Sequence, residues 1–76
     1  MEFEKIRTII AEHLSIDVHS ITPETRFVED LGADSLDLFQ MISDIEDAFE
    51  VEFTTEAAER VKTVGDAVSY IRLLAE

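Results

Sequence analysis

The sequence predicts an all-α fold: a small four-helix bundle with three longer helices, one short helix and a long first loop. Helix breakers are scarce, with two Gly and one Pro in 76 residues, so long stretches can stay helical. Apolar residues recur at intervals of three and four in three separate stretches, the pattern of helices with one buried face. There is no Cys, so neither a disulfide nor a thiolate metal site staples the chain and an apolar core must hold it. The apolar fraction of 46% belongs to a folded domain rather than a disordered chain. No repeat, low-complexity tract or Gly/Ser linker divides the chain, and residues 1–76 read as a single domain.

The first helix is expected from about Phe3 to Leu14, with Phe3, Ile6, Ile10 and Leu14 in one stripe. The connection after it carries three apolar anchors, Ile16, Val18 and Ile21, spaced too irregularly for a strand. Thr22-Pro23-Glu24 reads as a cap followed by proline in a first turn, one short turn of helix. Phe27 and Leu31 then fold this loop back over the core. The second helix starts at Asp34 or Ser35 and ends near Phe49 or Glu50. Asp34 and Asp37, three apart, suit a capping box at the positive end of the helix dipole, which makes Asp34 the N-cap and Ser35 the first helical residue. At roughly 100° per residue, Leu38, Met41, Ile42, Ile45 and Phe49 share the buried face. Leu36, Gln40, Ser43, Asp44 and Asp47 collect opposite, with Phe39 on the border. A short third helix spans Thr55 to Arg60, capped by Thr54 or Thr55, with Ala57, Ala58 and Val61 as its contacts. The last helix follows Thr63, which pairs with Asp66 as a cap, and its stripe is Val64, Ala67, Val68, Ile71 and Leu74.

Eighteen acidic residues against six basic give a formal net charge of −12. Such a chain repels nucleic acid and anionic membrane surfaces, so neither is expected as a ligand. It has no apolar run long enough for membrane insertion, and its N-terminus is too densely charged for a signal peptide. The reading is a soluble, cytoplasmic monomer whose partner is a protein with a positive patch. From Phe27 to Glu59 there are eleven Asp or Glu residues and no Lys or Arg. A merely solvated helix face mixes Glu with Lys to gain i,i+4 pairs. This one does not, so local stability is surrendered for binding. Leu36, apolar on the acidic side, marks where the partner touches.

Ser35 sits at the mouth of that acidic helix, where no base activates it. It is therefore a poor catalytic nucleophile and a good target for modification by a basic partner. No catalytic residue is assigned. Nor is a metal site: starting a calcium loop at Asp30 puts Gly32 at position 3, Ser35 at position 6 and Met41 at position 12, against the required ligand pattern. His13 and His19 have no partners in the sequence for metal binding or catalysis and read as boundary or surface residues. No Gly-rich phosphate loop exists, and Glu29 with Asp30 lack a cleft in which to act as acid and base.

The run Phe27-Val28-Glu29-Asp30-Leu31-Gly32-Ala33-Asp34-Ser35-Leu36-Asp37 resembles the modification site of acyl carrier proteins. The resemblance continues through Ile45-Glu46-Asp47-Ala48-Phe49 and Thr63-Val64, and covers essentially the whole chain. It implies that Ser35 carries 4′-phosphopantetheine, a covalent cofactor taken from coenzyme A by a phosphopantetheinyl transferase. The nucleophilic thiol then belongs to the prosthetic group, which suits a chain without Cys. It further implies a docking surface of Asp34, Leu36, Asp37, Gln40, Asp44, Glu46 and Asp47 for basic-surfaced enzymes of fatty acid biosynthesis, and a core that parts to admit an acyl chain. Gln40 stands where Glu is common, Phe39 where Val is common, Ser43 for a frequent Met, and Thr54-Thr55 for a frequent Pro-Asp. These departures bear on which enzymes are served. The alternatives are a stand-alone carrier of polyketide or aminoacyl groups and a non-carrier acidic interaction protein.

Overall fold

The apolar stripes become helices close to where their periodicity puts them. A computed structural model describes residues 2–75, with α1 (Glu2–Leu14), α2 (Ser35–Phe49), α3 (Thr55–Arg60) and α4 (Val64–Ala75). Packing follows from the buried faces. Ile6 and Ile10 of α1, Met41 and Ile45 of α2, Val64 and Ile71 of α4, and Ile21 and Phe27 of the first loop are all fully buried. Each such side chain stabilises the fold by about 1.5–3 kcal/mol relative to exposure. Phe3, Leu14, Leu38 and Phe49 are half-buried and close the edges of this core.

Polar contacts mark the helix directions. The Arg72 Nε donates to the Glu2 carboxylate at 3.2 Å, joining the end of α4 to the start of α1. Lys5 Nζ donates to the Ala48 carbonyl at 3.4 Å, while His13 lies beside Asp37. Hence α1 runs antiparallel to both α2 and α4. Lys5 also rests over the Phe49 ring, 5.1 Å from its centre, covering an aromatic face with charge.

The long first loop departs from expectation at one point. Thr22-Pro23-Glu24 is not helical: the Thr25 N–H donates to the Thr22 carbonyl at 3.0 Å, closing a β-turn with Pro23 in its second position. The Thr25 hydroxyl accepts the Thr22 N–H at 2.8 Å, so buried Thr25 is satisfied within the turn. The short helical turn forms earlier, over Val18–Ser20, where Asp17 caps it by accepting the His19 N–H at 2.9 Å. The loop is then sewn to the α3–α4 junction. Phe27 N–H reaches the Lys62 carbonyl at 3.0 Å, Val64 N–H the Thr25 carbonyl at 2.9 Å and Gly65 N–H the Pro23 carbonyl at 2.8 Å. Arg26 and Thr63 form an isolated antiparallel bridge there. A Cβ on Gly65 would stand 2.9 Å from the Pro23 oxygen, so only glycine lets loop and helix meet.

The remaining boundaries match. Thr54 caps α3 through the Ala57 N–H at 3.0 Å. Thr63 and Asp66 cap α4 reciprocally, at 3.1 and 3.0 Å. The α4 stripe ends one member early, because Leu74 is 39% exposed and Ile71 is the last residue that the core covers. A domain this small has too little surrounding structure to bury every apolar position of a terminal turn.

Candidate functional site

The site begins with the turn that presents α2. Phe27, buried, anchors it, and its carbonyl accepts the Ala33 N–H at 3.0 Å while the Val28 carbonyl accepts the Gly32 N–H at 3.0 Å. Gly32 sits at φ 68°, a left-handed conformation that side chains resist. Arg26 braces the turn by donating to Asp30 from Nε at 3.2 Å and from Nη2 at 3.1 Å. These hydrogen bonds hold the Asp30 carboxyl below the usual carboxylate range. Glu29 also lies 3.5 Å from Arg26, so both carboxylates lie against one guanidinium.

Ala33 is buried, which fixes the chain just before α2. Asp34 is the N-cap, its carboxylate accepting the Asp37 N–H at 2.9 Å, with the return bond from Asp34 N–H to Asp37 at 3.5 Å. Ser35 is then the first residue of α2, and it is exposed. The N–H groups of Ser35 and Leu36 have no carbonyl one turn back to bond. An exposed hydroxyl beside two open N–H groups, at the positive end of a 15-residue helix, suits an ester of phosphate. The residues present therefore fit a phosphodiester-linked group on Ser35.

The predicted docking residues lie together on α2, but they are not equivalent. Asp34, Leu36, Gln40, Asp44 and Asp47 are exposed, whereas Asp37 and Glu46 are half-buried. Glu46 accepts the Phe53 N–H at 2.6 Å, and the Phe53 ring packs 4.7 Å from that of Tyr70. Its carboxylate thus pins the α2–α3 connection against α4. Leu36 is 65% exposed and Phe39 is 54% exposed. Phe39 is therefore on the open face rather than at its border, one turn beyond Leu36, where the two make an apolar spot among carboxylates.

His13 is the residue that sequence reasoning misses. Its ring is 19% exposed, with Nε2 3.7 Å from Asp37 and Nδ1 3.9 Å from Asp44. A face without Lys or Arg in its own stretch of sequence meets an imidazole from α1. Only the antiparallel packing of α1 on α2 brings them together. Among the described residues no group of three or more His, Asp or Glu side chains could hold a metal ion. No helix of the described residues is long and apolar enough to cross a membrane.

Residues 4–71 match the family described as "Phosphopantetheine attachment site", a span that includes Ser35 and all of α2. The acyl carrier protein of Helicobacter hepaticus is 45% identical over 69 residues, 91% of each chain. A solved structure from Mycobacterium tuberculosis described as an acyl carrier protein superposes with a TM-score of 0.91 at 36% identity, over 97% of this chain and 99% of that one. The acyl carrier protein from Enterococcus faecalis gives a TM-score of 0.78, also at 36% identity, over 92% and 89% of the two chains. The chain thus belongs to the acyl carrier proteins, all-helical carriers rather than catalysts, whose cofactor is a covalently attached 4′-phosphopantetheine.

Proposed function

We propose that this carrier works in type II fatty acid biosynthesis, with Ser35 as the attachment point and the exposed face of α2 as the docking surface. The observation that carries the reading is the exposed Ser35 at the first position of a helix whose outer face is acidic. The Ser35 hydroxyl gives up its proton to the transferase and its oxygen bonds to the phosphorus of the pantetheine phosphate, while the pyrophosphate bond of coenzyme A breaks and adenosine 3′,5′-bisphosphate leaves, so the arm is held as a phosphodiester. When bound, the group supplies a terminal thiol that holds acyl chains as thioesters. Asp34, Asp37, Asp44 and Asp47 attract and align a basic enzyme surface, while Leu36 and Gln40 make close contact. Glu46 contributes charge there and fixes the connection behind it. A groove of about 280 Å³ between α3 and α4, walled in part by Ala57, Val61, Tyr70 and Leu73, is a place where an acyl chain finds apolar contact. One core shared by α1, α2, α4, the first loop and Val61 just past α3 supports a single domain acting as a monomer, in the cytoplasm where its partners work.

The test is an intact mass spectrum after incubation with coenzyme A and a phosphopantetheinyl transferase. One added phosphopantetheine is expected, and none for Ser35→Ala with its helical circular dichroism retained. Unmodified wild-type protein overturns the proposal. A second reading, a stand-alone carrier for polyketide or aminoacyl groups, draws on exposed Phe39 beside Gln40, which changes the docking surface. Loading by a malonyl transferase of fatty acid synthesis rather than by an adenylating enzyme decides between them.

A further inference from the structure

We propose that His13 is a proton-operated clip between α1 and the docking face, which on protonation cancels part of the negative charge around Ser35 and slows the engagement of basic partners. The inference rests on the assignment of docking to α2. Each ring nitrogen of His13 faces a different carboxylate, Nε2 toward Asp37 at 3.7 Å and Nδ1 toward Asp44 at 3.9 Å. The two aspartates are seven residues apart, two turns along one side of α2. A neutral imidazole has one N–H and can serve only one of them, whereas the imidazolium has two and serves both. The neutral ring leaves two full charges on the face; the charged ring places a cation between them.

The surroundings single out these two partners. From α2, Asp34 is engaged in the cap and Glu46 holds the Phe53 N–H. From the turn after α1, Asp17 accepts the His19 N–H. From α4, Asp66 caps its own helix and Arg72 pairs with Glu2 at the far end of α1. On α1 itself, Glu12 is exposed beside it, while Lys5 reaches Ala48 and Arg7 lies over the Phe3 ring. His13 also occupies the last turn of α1, where the helix dipole favours a cation. Histidine is the side chain whose charge changes across the pH range of about 5 to 8. Asp37 links the clip to the site, since it also receives the Asp34 N–H one residue before Ser35.

The experiment compares transferase-catalysed modification of wild type and His13→Gln at low salt across that pH range. Taking the ratio of the two rates at each pH removes the transferase's own pH dependence. The wild-type to variant ratio is expected to fall about two- to fivefold from pH 8 to pH 6, and to fall less in an Asp44→Asn background, where the imidazolium keeps only Asp37. In parallel, NMR titration of the wild-type His13 ring should move the Asp37 and Asp44 carboxyl resonances, a readout independent of docking. A flat ratio with unmoved resonances overturns the clip. Asp47→Asn separates the two levels. If it slows modification while the His13 ratio is flat, the docking face stands and the clip falls. If it has no effect at low salt, the docking assignment fails and takes the clip with it.

Discussion

Asp34 performs two tasks with one carboxylate, and two substitutions separate them. As N-cap it accepts the Asp37 N–H at 2.9 Å, a well-formed bond, while the reverse bond at 3.5 Å is at the limit of hydrogen bonding. One good cap bond is therefore at stake, and Asp34→Ala should destabilise the protein by about 1 kcal/mol. For a domain of this size that lowers Tm by roughly 4–8 °C. Asn caps as well as Asp does, so Asp34→Asn should leave Tm within about 2 °C of wild type. Both variants lose the same charge next to Ser35. Both should therefore slow phosphopantetheinyl transfer similarly, and more at low ionic strength than at high, because steering is screened. Thermal melts followed by circular dichroism supply one axis and initial rates of mass gain the other. If Asn and Ala lower Tm equally, the stabilisation comes from charge on the dipole and not from the cap bond, and the division of Asp34 into two tasks is refuted.

The Arg26–Asp30 pair predicts a pH signature. Hydrogen bonds from Arg26 lower the Asp30 pKa in the folded state, so its stabilisation is present at neutral pH and vanishes as pH falls through that lowered value. The gap in urea midpoint between wild type and Arg26→Ala should be small, since the pair is exposed, and should close below about pH 4. A gap that widens in acid would contradict this. Ser15 lies at φ 57° just past α1, a conformation that glycine adopts without strain. Ser15→Gly should raise stability by about 0.5–1 kcal/mol, read as a higher urea midpoint.

Much of the candidate site is legible along the chain because it is local. Asp34 capping Asp37, Ser35 opening α2 and the exposed position of Leu36 follow from spacings of one to three residues and from helix geometry alone. Thr63 with Asp66 is read the same way. Thr22-Pro23-Glu24 misleads because proline suits both a helix start and a β-turn. What chooses the turn is the side chain of Thr25 and the pairing of this loop with residues 62–65, some forty positions away. Phe39 is misplaced by helical periodicity, which ranks positions by angle, whereas exposure depends on which neighbours are near enough to cover them.

The sequence by itself determined the helices, their caps, the acidity of α2 and the position of Ser35, since each arises from residues within a turn or two of one another. Only the tertiary structure decided that His13 stands between Asp37 and Asp44, that Glu46 serves the Phe53 backbone, and that Gly65 meets Pro23. These contacts depend on how α1 lies against α2 and how the first loop reaches α4. No local pattern encodes them, because the energy that fixes them is spread through the shared core.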